Sequence, residues 1–174
     1  MKTRMLFVLF SVLLISMLAT TVVLAKGPVV HKVSVGGPDA CEGFGLKPGC
    51  DKNFSLSARA YDDGSASGQW TDRWGGGLGG FHADIDCLVV DGNTAWVSGV
   101  VTQGVYRDPE TGEEFDLAGL AVGTMVRDNG TSANDPVDQI SYSAFEIDGP
   151  PYDVCTAMSE YPLFDAPQGQ VKVK

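Results

Sequence analysis

Apolar and polar side chains alternate one by one in short runs along most of this chain. The clearest run is Phe81, Ala83, Ile85, Cys87 and Val89 against His82, Asp84 and Asp86, a period of two that fits a strand with one buried face. Asp91-Gly92 follows, a pair suited to a tight hairpin turn. Thr94 to Val101, rich in β-branched and aromatic residues, reads as the returning strand. A two-residue Asp91-Gly92 turn sets Trp96 opposite Cys87, on the face that holds Phe81 and Ile85. Trp96 is then expected to be buried over a sulfur bridge. Ala95, Val97 and Val101 on the other face are nearly as apolar, and a loop one residue longer would turn Trp96 toward His82.

The same alternation predicts strands at Val29–Val35, Asn53–Tyr61, Ser65–Trp74, Phe115–Val126, Gln139–Ile147 and Gly169–Lys174. The segment around Cys155 reads as a short strand or turn. Asp62-Asp63-Gly64 fits a three-residue hairpin loop with its glycine in the left-handed position, which puts Trp70 opposite Leu56 and in the core. Gly119 and Gly123 suit bends or bulges in the Phe115–Val126 strand. Residues 26–174 contain no convincing helical period. About eight strands at hairpin spacing predict an all-β fold, an antiparallel β-sandwich or β-barrel.

Residues 1–25 stand outside this pattern. Lys2 and Arg4 precede an apolar run from Met5 to Leu24, and Val23-Leu24-Ala25 supplies small residues before Lys26. This is the layout of a cleaved signal peptide, leaving 26–174 as a single secreted β domain. The apolar run is also long enough to serve as an uncleaved membrane anchor. Removing 1–25 takes away Lys2 and Arg4 and no acid, so the formal charge moves from −10 to −12. So acidic a surface argues against nucleic acid and anionic membranes as partners. Four cysteines remain, Cys41, Cys50, Cys87 and Cys155. An even count in an exported chain implies two disulfides. The flexible loop between Cys41 and Cys50 favours pairing them, which leaves Cys87 with Cys155. No CxxC spacing supports zinc.

Few groupings suggest chemistry. Gly75–Gly80 formally contains GxGxxG, but a strand follows where phosphate binding needs a helix, so it reads as a hairpin loop. His82, Asp84 and Asp86 resemble an HxD metal pair, for which His31 is the remaining histidine; a solvated strand face is the simpler reading. Asp128, Asn129, Thr131, Asn134, Asp135 and Asp138 share one oxygen-rich loop that could hold Ca²⁺, although its spacing departs from the EF-hand and these are ordinary turn residues. GxSxG is absent, and no spacing selects a catalytic carboxylate pair. Trp74, Trp96, Tyr61 and Tyr106 could form a stacking platform for sugars, against a default of core packing.

The segments HADIDCLVVDGNTAWVSGVV and VRDNGTSANDPVDQIS, with the ending GQVKVK, resemble a group of secreted bacterial β-rich proteins, some described as post-COAP domain proteins. Their shared hairpin, Cys-Leu-x-Val-x-Gly-Asn-x-Ala, matches Cys87 to Ala95. The resemblance implies export and an all-β module and carries no catalytic residue over to this chain. Cys41 and Cys50 are not part of its pattern. The expected function is a non-catalytic secreted module, binding or envelope-associated, whose ligand the sequence does not specify, a glycan or cell-envelope component being the candidate partners, with no cofactor. The alternative is a small secreted hydrolase or metal-dependent enzyme using its acidic loop residues. N-terminal sequencing of exported protein should begin at Lys26 or within a residue or two of it. Recovery in the membrane fraction with Met1 intact would establish the anchor instead.

Overall fold

A computed structural model of the chain describes residues 26–37, 51–130, 132, 134–146, 154–158, 160–167 and 170–174. The alternating runs form β1 (Val29–Gly36), β2 (Asp51–Tyr61), β3 (Ala66–Trp74), β4 (Gly79–Asp91) and β5 (Thr94–Arg107). Shorter strands follow: β6 (Glu114–Asp116), β7 (Ala121–Arg127), β8 (Gln139–Ile140), β9 (Ala144–Phe145), β10 (Phe164–Asp165) and β11 (Gln170–Val173). One helical turn, α1 (Val154–Ala157), carries Cys155 where a short strand or turn was expected. The strands lie in the order β10-β8-β7-β5-β4-β3-β2-β1-β11, with β6 beside β5 and β9 beside β7. All pairs are antiparallel, and the single sheet curls into a half-barrel. The all-β expectation holds. The strands exceed the expected eight because the later segments break into pieces of two or three residues.

Glycine permits the curl. A Cβ at Gly68 would run into the Ser57 carbonyl oxygen of β2, and one at Gly99 into the Asp84 carbonyl oxygen of β4. At both places neighbouring backbones approach more closely than any side chain allows. The concave face is then filled in rows across the strands. Leu56, Trp70, Ala83 and Val101 form one row; Phe54, Asp72, Phe81 and Gly104 form the next. Trp70 is fully buried, with its ring 5.5 Å from Phe54 and 5.0 Å from Phe81. It faces Leu56 because the loop is the three-residue Asp62-Asp63-Gly64, with Gly64 at φ +81°.

The central hairpin departs from its expected register. Asp91 pairs with Thr94, so the turn is Gly92-Asn93, with Gly92 at φ +58°. This is the glycine-first pattern of a type II′ turn. Asp86 bulges out of β4 between Ile85, which faces Gly99, and Cys87, which faces Ser98. One extra residue reverses the alternation beyond it. Leu88, Ala95 and Val97 therefore face the core, while Cys87 and Trp96 lie on the convex face. Trp96 faces Val89 rather than Cys87, and it is buried there, against Met125, Tyr161 and Leu163.

Two expected long strands are interrupted. Phe115–Val126 turns at Leu117–Leu120, where Gly119 takes φ +85° and Asp116 Oδ1 accepts the Ala118 amide. Gln139–Ile147 breaks after Ile140, where Ser141 Oγ accepts the Met125 amide and meets Thr124 Oγ1 at 3.1 Å. Ile147 lies outside the described residues.

Cys87 and Cys155 form a disulfide, Cα atoms 6.1 Å apart across 68 positions of sequence. Closing a loop of that length restricts the unfolded chain by about 4 kcal/mol. Cys41 and Cys50 lie outside the described residues.

The far edge of the sheet is sealed by side chains. Lys174 exchanges backbone hydrogen bonds with Lys32 of β1, so the alternate amides of β11, Val171 and Val173, point away from β1. Asp138 Oδ2 accepts the Val171 amide at 2.7 Å, and Asp128 Oδ2 accepts the Val173 amide at 3.0 Å. Their other oxygens accept the Asn129 and Gly130 amides within the loop. Replacing Asp138 by alanine leaves the Asn129 and Val171 amides without acceptors. Asp138→Ala should lose about 2–4 kcal/mol in urea unfolding, against less than about 1 kcal/mol for Asp135→Ala in the same loop. Equal losses would show that the β11 contacts carry no special weight.

Candidate functional site

The row beyond Phe81 lacks a filling residue at its centre. Trp74 pairs with Gly79, Gly79 with Tyr106, and Tyr106 with Phe115. Gly79 places no side chain between its neighbours, so the Trp74 and Tyr106 rings meet over it at 6.0 Å. The Gly75–Leu78 loop joins β3 to β4 at this end, and the Leu78 carbonyl accepts the Arg107 amide at 2.8 Å. On the other side stand Leu117 and Leu120 of the β6–β7 turn and Phe145 of β9. Together they line an open cavity of about 630 Å³.

Its walls are aromatic and set at steep angles. Trp74 meets Tyr106 at 73° and Phe145 at 85°, while Phe115 stacks on Tyr106 at 29° with centroids 6.1 Å apart. Phe145 reaches inward to Phe81 at 5.2 Å, so the cavity walls continue into the core. The charged residues lining the cavity are Asp108 and Asp116. Asp108 Oδ1 accepts the Thr111 and Glu110 amides, each at 2.8 Å. These bonds hold its carboxyl below the usual carboxylate range. One row deeper, Asp72 is buried on the concave face between Trp70 and Trp74, and Ser143 Oγ donates to it at 3.0 Å.

Of the four residues expected to form a stacking platform, the fold unites Trp74 and Tyr106. Tyr61 stands on the last position of β2, bonded to Ser67 at 3.0 Å with Lys26 over its ring. Trp96 faces the opposite side of the sheet. Phe115, Phe145, Leu117 and Leu120 are the contributors that the alternation did not reveal. Phe115 could have been found by continuing the hairpin register from Tyr106; Phe145 could not, since β9 reaches this place through an irregular connection.

The other candidates fall elsewhere. His82 and Asp84 lie on the convex face and Asp86 in the bulge; His82 Nδ1 is 2.8 Å from Thr71 Oγ1. His31 stands on β1, with β2 and β3 between it and β4. In the proposed calcium loop, Asp128 and Asp138 hold backbone amides, Asp135 Oδ2 accepts the Ser132 amide, and Asn129 Nδ2 donates to the Val137 carbonyl. Asn134 is exposed, and Thr131 lies outside the described residues. Among the described residues no three His, Cys, Asp or Glu side chains gather as a metal site. Gly75–Leu78 forms the hairpin connection, as expected, while Gly79 and Gly80 belong to β4. No helix among the described residues is long and apolar enough to cross a membrane. No protein-family model, curated protein or solved structure matches the chain.

Asp108 gives a direct check on the cavity rim. Its folded-state pKa is depressed, so its share of the turn's stability is present at neutral pH and is lost as pH falls through the depressed value. Carbon-detected NMR titration should find Asp108 below an ordinary aspartate. A midpoint at or above the ordinary value would mean that the amide contacts do not persist in solution.

Proposed function

We propose that the protein is an exported, non-catalytic β domain that binds a small, largely apolar molecule in the aromatic cavity. The observation that carries this reading is the cavity itself. Its volume of about 630 Å³ falls within the usual range for small-molecule sites, about 300–1,000 Å³, and mouths of β-barrels are a common place for them. The walls offer ring faces and leucine side chains with few hydrogen-bonding groups, which suits an apolar guest better than a glycan. Export is supported by the layout of residues 1–25 and by the Cys87–Cys155 disulfide. Resemblance to secreted post-COAP domain proteins points the same way.

The neutral fluorophore N-phenyl-1-naphthylamine tests the reading. Its emission should rise saturably on titration into the exported protein, with one site per chain. Phe115 is half-exposed, so Phe115→Ala should weaken binding about fivefold with little change in urea unfolding. Leu120→Trp should fill the cavity and abolish binding. Absence of saturable binding, or binding indifferent to both substitutions, would overturn the proposal.

A further inference from the structure

Resting on that reading, we infer that the guest is an organic cation: an ammonium group joined to an apolar body. Three observations converge on this class. First, four aromatic rings line the cavity: Trp74, Tyr106, Phe115 and Phe145. Trp74 meets Tyr106 at 73° and Phe145 at 85° in edge-to-face contacts, while Phe115 stacks on Tyr106 at 29°. Aromatic ring faces attract ammonium groups, tryptophan most strongly.

Second, both charged residues lining the cavity are carboxylates, Asp108 and Asp116. Each uses Oδ1 to hold turn amides: Glu110 and Thr111 for Asp108, Ala118 for Asp116. These contacts fix both carboxylates at the rim, and they favour the ionised form of Asp108.

Third, the surrounding hairpin has the same sign. Between Arg107 and Asp116 the chain carries Asp108, Glu110, Glu113, Glu114 and Asp116. Its one basic residue, Arg107, is tied to Glu114 in an exposed ion pair. The chain as a whole is at −10. An anion would meet charge of its own sign at the mouth and over the whole surface, whereas a cation is drawn in.

Three matched ligands test this by isothermal titration on the exported protein. They are benzyltrimethylammonium, its uncharged isostere neopentylbenzene, and the anion benzylsulfonate. The ammonium compound should bind at least about tenfold more tightly than the isostere, with affinity falling as salt rises, and the sulfonate should bind most weakly. Asp108→Asn and Asp116→Asn keep an Oδ1 acceptor for the turn amides while removing the charge. Each should weaken benzyltrimethylammonium several-fold and leave neopentylbenzene unchanged. Equal affinity for the ammonium compound and its isostere, or no effect of either substitution on the ammonium compound, would overturn the inference while leaving an apolar binding site. Loss of all three ligands together with the neutral fluorophore would overturn the binding function itself.

Discussion

The curled sheet depends on how its last strand is held. β11 pairs with β1 on one side, and on the other its Val171 and Val173 amides reach carboxylates instead of another strand. Unpaired amides along a sheet edge are both costly when buried and open to wrong pairing. Asp128 and Asp138 answer both demands, and they do it from the loop that joins β7 to β8. The Ala166 amide, next to β10, bonds to the Asp138 carbonyl, so this one residue links both ends of the strand order. A loop that looks like a cation site in sequence is thus a seam.

The cavity follows from the same curl acting at the other end. Rows near the middle of the sheet are filled by Trp70, Leu56 and Phe81, whose rings and branches meet across the concave face. In the Trp74 row, glycine at position 79 leaves the centre open, and the turn at Leu117–Leu120 brings apolar cover over the gap without filling it. The aromatic side chains there serve two purposes. Their inner edges extend the core through Phe81 and Phe145, and their outer faces remain available to a guest.

How much of this could be read from the chain varies with distance in sequence. The Trp70 position followed from local turn chemistry, since Asp-Asp-Gly offers one good place for its glycine. The central hairpin departs from its expected register for two reasons: the turn is Gly92-Asn93, which sets Trp96 opposite Val89, and Asp86 is an ordinary strand residue until it meets Gly99 and Ser98 across the ladder. Alternation identifies two faces but not which lies inward, and a single bulge exchanges them. For the cavity, Trp74 and Tyr106 stand among the four aromatics that the sequence offers as a stacking platform. The meeting of Trp74 with Phe145 depends on Ser141 diverting the chain after β8, through contacts with Thr124 and Met125 that carry no periodic signature.

The disulfide on the convex face has a different sort of importance. Cys155 is wholly buried, its sulfur 3.5 Å from the Trp96 carbonyl oxygen and 3.7 Å from Ser98 Oγ. A few residues further on, Tyr161 and Leu163 lie over Trp96 and Met125. The bond therefore acts as a clasp on a cover, and the cover hides a greasy outer surface. Without the bond, the β4–β5 ladder keeps its own pairing, while the cover over Trp96 and Met125 is held by noncovalent contacts alone, and an apolar patch left bare is a surface for self-association.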